Sequence, residues 1–215
     1  MIDALSGRRM PRRLVQLYVG LALYGVSIAA LVLADLGVMP WDVLHQGLAR
    51  LLGWSLGTVI IAVGVLVLLA WIPLRERPGI GTVSNVVVVG LVADAVLAVV
   101  DPPSSLVLRI ALVAVGILCN AVATAAYVGV RLGPGPRDGL MTGLVRRTGR
   151  KVGPVRTSIE VLVVVSGWLL GGTVGIATVL YALAIGPLVQ PLLPRLTVSP
   201  AAPPTPPADA PAPAG

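Results

Sequence analysis

The chain has 215 residues, 56% of them hydrophobic and 12% charged, with a mean hydropathy of +0.95; that is more apolar side chain than a water-soluble domain of this size buries, which excludes the soluble classes and makes a bilayer the solvent. The net charge of +7 does not indicate nucleic acid, because the arginines flank apolar runs and no basic face is interleaved with aromatic residues. Cys119 is the single cysteine and sits in an apolar run, so neither a disulfide framework nor a cysteine metal site is expected.

From the N-terminus, Arg8, Arg9, Arg12 and Arg13 mark a basic segment, residues 1–12, ahead of an apolar stretch from Leu14 to Val32. That stretch is too long for the apolar region of a signal peptide, so it reads as an uncleaved anchor. One Lys against fifteen Arg, with no Phe, suggests a GC-rich bacterial genome and hence the cytoplasmic membrane. A span needs about 20 apolar residues, because a helix rises about 1.5 Å per residue across about 30 Å of hydrocarbon. Helices are predicted over 13–35, 55–74, 79–100, 106–131, 153–171 and 174–194. The last two lie in one continuous apolar stretch, punctuated by Gly171-Gly172-Thr173, whereas the matching earlier stretch is split by Pro73, Arg75, Glu76, Arg77 and Pro78. Segments 41–52 and 137–148, about 18 Å long as helices, are too short to cross and either lie at the interface or re-enter. Residues 197–215 are rich in Pro and Ala without periodicity and read as a disordered cytoplasmic tail.

Charge orients six spans. The N-terminal arginines, Arg75, Arg77, the cluster Arg131, Arg137, Arg146, Arg147, Arg150, Lys151 and Arg156, and Arg195 fall on one side. The positive-inside rule makes that side cytoplasmic, with both termini inside. Asp35, Asp42, Arg50, Asp101 and Arg109 fall on the other.

A shift of 96 residues lays one half of the chain on the other without a gap. Leu36-Gly37-Val38-Met39-Pro40-Trp41-Asp42 falls on Leu132-Gly133-Pro134-Gly135-Pro136-Arg137-Asp138, and Gly47/Gly143, Arg50/Arg146, Gly57/Gly153, Gly79/Gly175, Thr82/Thr178 and Gly90/Gly186 follow. This is a duplication, with repeats at 13–100 and 106–196. Three spans per repeat is an odd number, so the repeats are expected to be inverted; the nearly neutral loop 36–55 and its strongly basic counterpart 132–151 differ in charge as inversion requires.

Within each loop, Gly37 and Pro40, or Gly133 and Pro136, end one span and set a turn into a short helix. Asp42 and Gln46 share a face of the first short helix, and Asp138 and Thr142 reproduce that polar pair in the second. Gly37-x-x-Pro40-Trp41-Asp42-Val43-Leu44-His45-Gln46-Gly47-Leu48 and Pro78-Gly79-Ile80-Gly81-Thr82 resemble the YczE/YyaS/YitT-type bacterial integral membrane proteins over about residues 14–194. The second half departs from this pattern with Arg137 for Trp41, Met141 for His45 and Ala177 for Gly81. The resemblance implies a multi-pass membrane protein and supplies no substrate.

Two readings stand for Asp42 and Asp138: helix N-caps, or carboxylates at two gates on opposite faces, with Gln46 and Thr142 beside them as substrate contacts. Glu160 lies about 10 Å into the fifth span with Arg156 one turn earlier. It is either a structural ion pair or, if it faces the bundle axis, the carrier of a coupling proton or cation. Asp94 is expected to snorkel near the outer interface. Gly79, Gly81 and Thr82, with Gly175 and Thr178, start helices and read either as close packing positions or as N–H groups that hold an anion; Gly47 and Gly143 are structural positions of the repeated motif. His45 is the lone histidine and reads as an interfacial polar side chain; no metal site, cofactor motif or catalytic signature is present, so no enzyme activity is expected.

The sequence thus predicts an all-α inner-membrane protein, six spans in two inverted three-helix repeats with short interfacial or re-entrant helices. Its leading function is small-solute transport by alternating access. The alternative is an accessory protein that stabilises or recruits membrane partners or lipids, with homo-oligomerisation open in either case.

Overall fold

The computed structural model describes residues 10–198. Residues 1–9 of the basic start and residues 199–215 of the Pro/Ala-rich tail lie outside the described residues. Among the described residues there are eight helices and no strand: α1 (Met10–Ala34), α2 (Pro40–Leu52), α3 (Leu56–Leu74), α4 (Ile80–Leu97), α5 (Leu106–Gly129), α6 (Pro136–Thr148), α7 (Val152–Leu169) and α8 (Ile176–Leu196). All except α2 and α6 are long and apolar enough to cross a membrane, which gives the six spans. Outward-facing Val19, Leu66, Val107, Leu162 and Leu183 are exposed, as lipid-facing positions require. The least apolar span is α7, with a mean hydropathy of 1.3 against 2.5 for its counterpart α3.

Local chemistry sets the boundaries. Pro40 and Pro136 open α2 and α6 at positions that need no amide, and Gly53 and Gly149 close them in the left-handed conformation. At the starts of α4 and α8 the Thr82 and Thr178 hydroxyls accept from the Gly79 and Gly175 amides, each at 3.2 Å. Residues 197 and 198 do not begin a free tail: Val198 is buried, and its amide donates to Gly129 O at 3.0 Å.

The centre is α1 against α5, with α4 beside α1 and α8 beside α5. The short helices cross over, α2 packing on α7 and α6 on α3. These contacts come in pairs that exchange when the halves are exchanged. Gly81 N donates to Leu132 O at 2.9 Å, and Ala177 N donates to Leu36 O at 3.0 Å. Gly47 abuts Leu170 as Gly143 abuts Leu74, and Gly37 abuts Gly175 as Gly133 abuts Gly79. The amides at these helix starts are thereby consumed in tying the halves together.

One pair breaks the symmetry. In the first half α3 and α4 touch through Gly57 and Gly90, each against the other's carbonyl. The Asp94 carboxylate seals that junction, accepting from Gly57 N at 2.6 Å and from Ser55 Oγ at 2.5 Å. In the second half α7 and α8 stand apart at the equivalent place, and no neighbour lies within 4 Å of where a side chain on Gly153 or Gly186 would begin. Asp94 therefore caps α3 where snorkelling was expected, because the first-turn amides of α3 are closer than water.

Candidate functional site

A cavity of about 420 Å³ lies where the halves meet. It is lined by matching positions 96 residues apart: Pro40 and Pro136, Trp41 and Arg137, His45 and Met141, Ile60 and Arg156, Gly64 and Glu160, Asn85 and Tyr181. Tyr24, Tyr127, Val63, Val67, Gly186 and Gln190 complete much of the wall. The halves have diverged in chemistry, so the charged lining residues, Arg137, Asp138, Arg156 and Glu160, all belong to the second repeat.

The first turns of α2 and α6 meet here. Pro40, Asp42, Val43, His45 and Gly47 are buried along α2, whereas Leu51 and Leu52 at its far end are exposed. The short helices thus re-enter with their N-terminal ends inward and do not lie flat at the interface. Asp42 and Asp138 consequently share one central site and do not guard two opposite faces. Arg137 links them: its guanidinium stands 5.0 Å over the Trp41 ring and donates to Asp42 Oδ1 at 3.5 Å. This places Arg137 inside the cavity and removes it from the count of loop charges that orient the chain.

Asp42 is not an N-cap. Met39 holds that position without a side-chain bond, and Asp42, in the third helical position, is 1% exposed. Its Oδ1 also contacts His45 Nδ1 at 2.8 Å, while Oδ2 has no hydrogen-bond partner among the described residues. His45 is 2% exposed, not interfacial. Burial pulls its pKa below the usual imidazole value against the opposing pull of Asp42, so its neutral form prevails. Asp138 takes a different partner, the Tyr127 hydroxyl at 3.3 Å, and opens onto the cavity. Burial pushes its carboxyl upward, opposed by the Tyr127 hydroxyl, Arg137, Arg156 and the Gly135 amide.

Glu160 faces the cavity and is held by Arg156, whose Nε donates to Oε1 at 2.9 Å. Gln46 and Thr142, one helical turn beyond the aspartates, miss the cavity. Gln46 Oε1 accepts from Thr173 N at 3.0 Å, and Thr142 Oγ1 donates to Gly139 O at 3.1 Å. Behind the wall, Tyr181 donates to Asn120 Oδ1 at 2.8 Å, and Asn120 Nδ2 donates to Ser27 Oγ at 2.9 Å. Among the described residues no cluster of His, Cys, Asp and Glu fits a metal ion. Tyr24, Tyr127, Trp41 and Arg137 were not singled out as site residues from sequence; the signal for Trp41 and Arg137 was their shared repeat position beside the aspartates.

A family model described as a family of unknown function (DUF6198) matches residues 11–193. An uncharacterized protein of Haemophilus influenzae is 39% identical over 170 residues, covering 79% of this chain and 78% of its own. The uncharacterized membrane protein YczE of Bacillus subtilis is 30% identical over 161 residues, 74% and 75% of the two chains. The uncharacterized protein YyaS of Bacillus subtilis is 24% identical over 180 residues, 82% and 90% of the two chains. No solved structure matches.

Proposed function

The chain belongs to this DUF6198 family of membrane proteins, and from that premise we propose that it is a small-solute transporter working by alternating access between two inverted repeats. The observation that carries this reading is the broken symmetry between equivalent helix pairs. Gly57 and Gly90 hold α3 and α4 together, whereas Gly153 and Gly186 leave α7 and α8 apart beside the cavity. Two copies of one unit in two conformations are what a rocking transporter contains in either end state.

Exchanging the two conformations describes the opposite state: α7 closes on α8 through Gly153 and Gly186, while α3 parts from α4. Gln190, which occupies the repeat position of Asp94, then comes to the Gly153 amide as Asp94 comes to that of Gly57. In the present state the cavity opens toward the end that carries Arg146, Arg147, Arg150 and Lys151, which the positive-inside rule assigns to the cytoplasm. Glu160 and Arg156 sit at this mouth and would be buried by closure, which makes them the groups through which a proton or a cation would couple to it.

The test is a cysteine pair. In a Cys119→Ala background, Lys151→Cys with Gln190→Cys is expected to form a disulfide on mild oxidation of membranes, because the equivalent side chains, Ser55 and Asp94, are hydrogen-bonded at 2.5 Å in the other repeat. Once formed, the bond should protect Met141→Cys in the cavity from a small thiol reagent. A static accessory protein would keep the pair apart, and absence of the disulfide would remove the transport reading.

A further inference from the structure

Consecutive residues of α6 offer the cavity an incompletely satisfied cation and an incompletely satisfied anion. The Arg137 guanidinium has one hydrogen bond among the described residues, the long one to Asp42 Oδ1 at 3.5 Å. That oxygen already serves His45 at 2.8 Å. A guanidinium carries five N–H donors in a planar fork, so most of them are left for whatever enters. Asp138 has one side-chain partner, the Tyr127 hydroxyl at 3.3 Å, against about four acceptor positions on a carboxylate. Arg156 and Glu160, by contrast, are closed on each other at 2.9 Å.

The rest of the lining suits a short organic body. Tyr24 and Tyr127 stand edge to face with ring centroids 6.0 Å apart, and Val63, Val67 and Val89 supply an aliphatic wall. A volume of 420 Å³ is at the small end of the range for organic ligand sites, about 300–1,000 Å³. A ligand with only a carboxylate would meet Arg137 and leave Asp138 facing a like charge. One with only an ammonium would satisfy Asp138 and leave most of the Arg137 donors unused beside Asp42 and Trp41. Each singly charged ligand therefore leaves one of the two groups without a ligand partner.

We propose that the cavity binds a small amino-acid-like zwitterion, its carboxylate on the Arg137 fork and its ammonium between Asp138 and the tyrosine rings. This deepens the transport reading and rests on it for the consequence of binding. The fork gives two parallel bonds to a carboxylate, and aromatic faces add attraction for the ammonium. A zwitterion brings no net charge, so it compensates both residues without charging the cavity.

Three probes of one carbon skeleton test this on the purified full chain: L-leucine, 3-methylbutylamine, which lacks the carboxylate, and 4-methylpentanoate, which lacks the ammonium. Calorimetric titration is expected to show leucine bound at least about tenfold more tightly than either, since losing one charged pair leaves its partner unpaired. Arg137→Gln should weaken leucine and the acid and spare the amine; Asp138→Asn should weaken leucine and the amine and spare the acid. Arg137→Lys and Asp138→Glu keep the charges and serve where the neutral variants fail to fold. Equal or tighter binding of a singly charged probe, or no binding of any probe at millimolar concentration, overturns the proposal, and the ranking on the unaltered protein needs no variant. If the Lys151→Cys, Gln190→Cys disulfide forms while leucine shows no preference, the substrate class falls and transport stands. If leucine is preferred and the disulfide never forms, the protein is a zwitterion binder that does not alternate.

Discussion

Asp138 stands in the first turn of α6, on the side that opens to the cavity. Its folded-state pKa lies above the ordinary carboxylate value because burial outweighs the Tyr127 hydroxyl, Arg137, Arg156 and the Gly135 amide. A raised acid favours folding below its unfolded pKa, and that contribution is lost as pH rises through the folded value. Asp138→Asn is therefore expected to raise the thermal unfolding midpoint of the empty protein near pH 8, with the difference vanishing below about pH 3, where Asp138 is neutral in both the folded and the unfolded state. A midpoint that falls at about pH 8 would mean that these four groups together outweigh burial. The asymmetry with Asp42 is instructive, since equal positions in the two repeats face unequal surroundings. Asp42 is buried under His45 and Arg137, whereas Asp138 is left to the cavity.

At the scale of elements, the re-entrant helices depend on two glycines whose backbone no other residue adopts easily. Gly37 has φ of 109° and Gly133 has φ of 128°, and a side chain on either would meet the opposite helix start, Gly175 N at 2.7 Å or Thr82 Oγ1 at 2.6 Å. Gly37→Ala and Gly133→Ala are each expected to destabilise by more than the roughly 1 kcal/mol of the backbone conformation alone. Detergent-resistance curves on the purified variants would measure it, and Gly90→Ala would fail in the same way while Gly186→Ala would not. All eight helices and the six spans were legible in the sequence, because apolar run length and Pro and Gly punctuation act locally. The depth of α2 and α6 was not legible. Hydropathy says that a 13-residue helix is too short to cross; what holds the first turns inward is tertiary packing, Val43 on Gly167 and Gly172 in α2, and Pro136 and Gly139 on Trp71 in α6. For the same reason Arg137 read as a loop charge and His45 as an interfacial one. Charge counting carries no information about which end of a short helix is buried.

For the molecule as a whole, reciprocal contacts at both ends of the bundle tie one repeat to the other. Inversion predicts that Leu52→Cys and Thr148→Cys, each in a Cys119→Ala background, label with an impermeant maleimide from opposite sides of the membrane. Labelling from one side would break the inverted arrangement and, with it, the assignment of the open mouth to the cytoplasm. The distribution of charge between the repeats also bears on how the chain is made. Every charged residue that lines the cavity comes from the second half, and α7, which carries two of them, is the least apolar span. An ionised side chain near the middle of a lone span costs about 2.5–3.5 kcal/mol to insert. During synthesis, however, α7 leaves the ribosome only after α1, α3, α4 and α5 have emerged. The apolar repeat is therefore available as a protein surface on which the polar one can assemble. The biosynthetic order thus matches the energetic need, with the half that lipid accepts most readily made before the half that lipid resists.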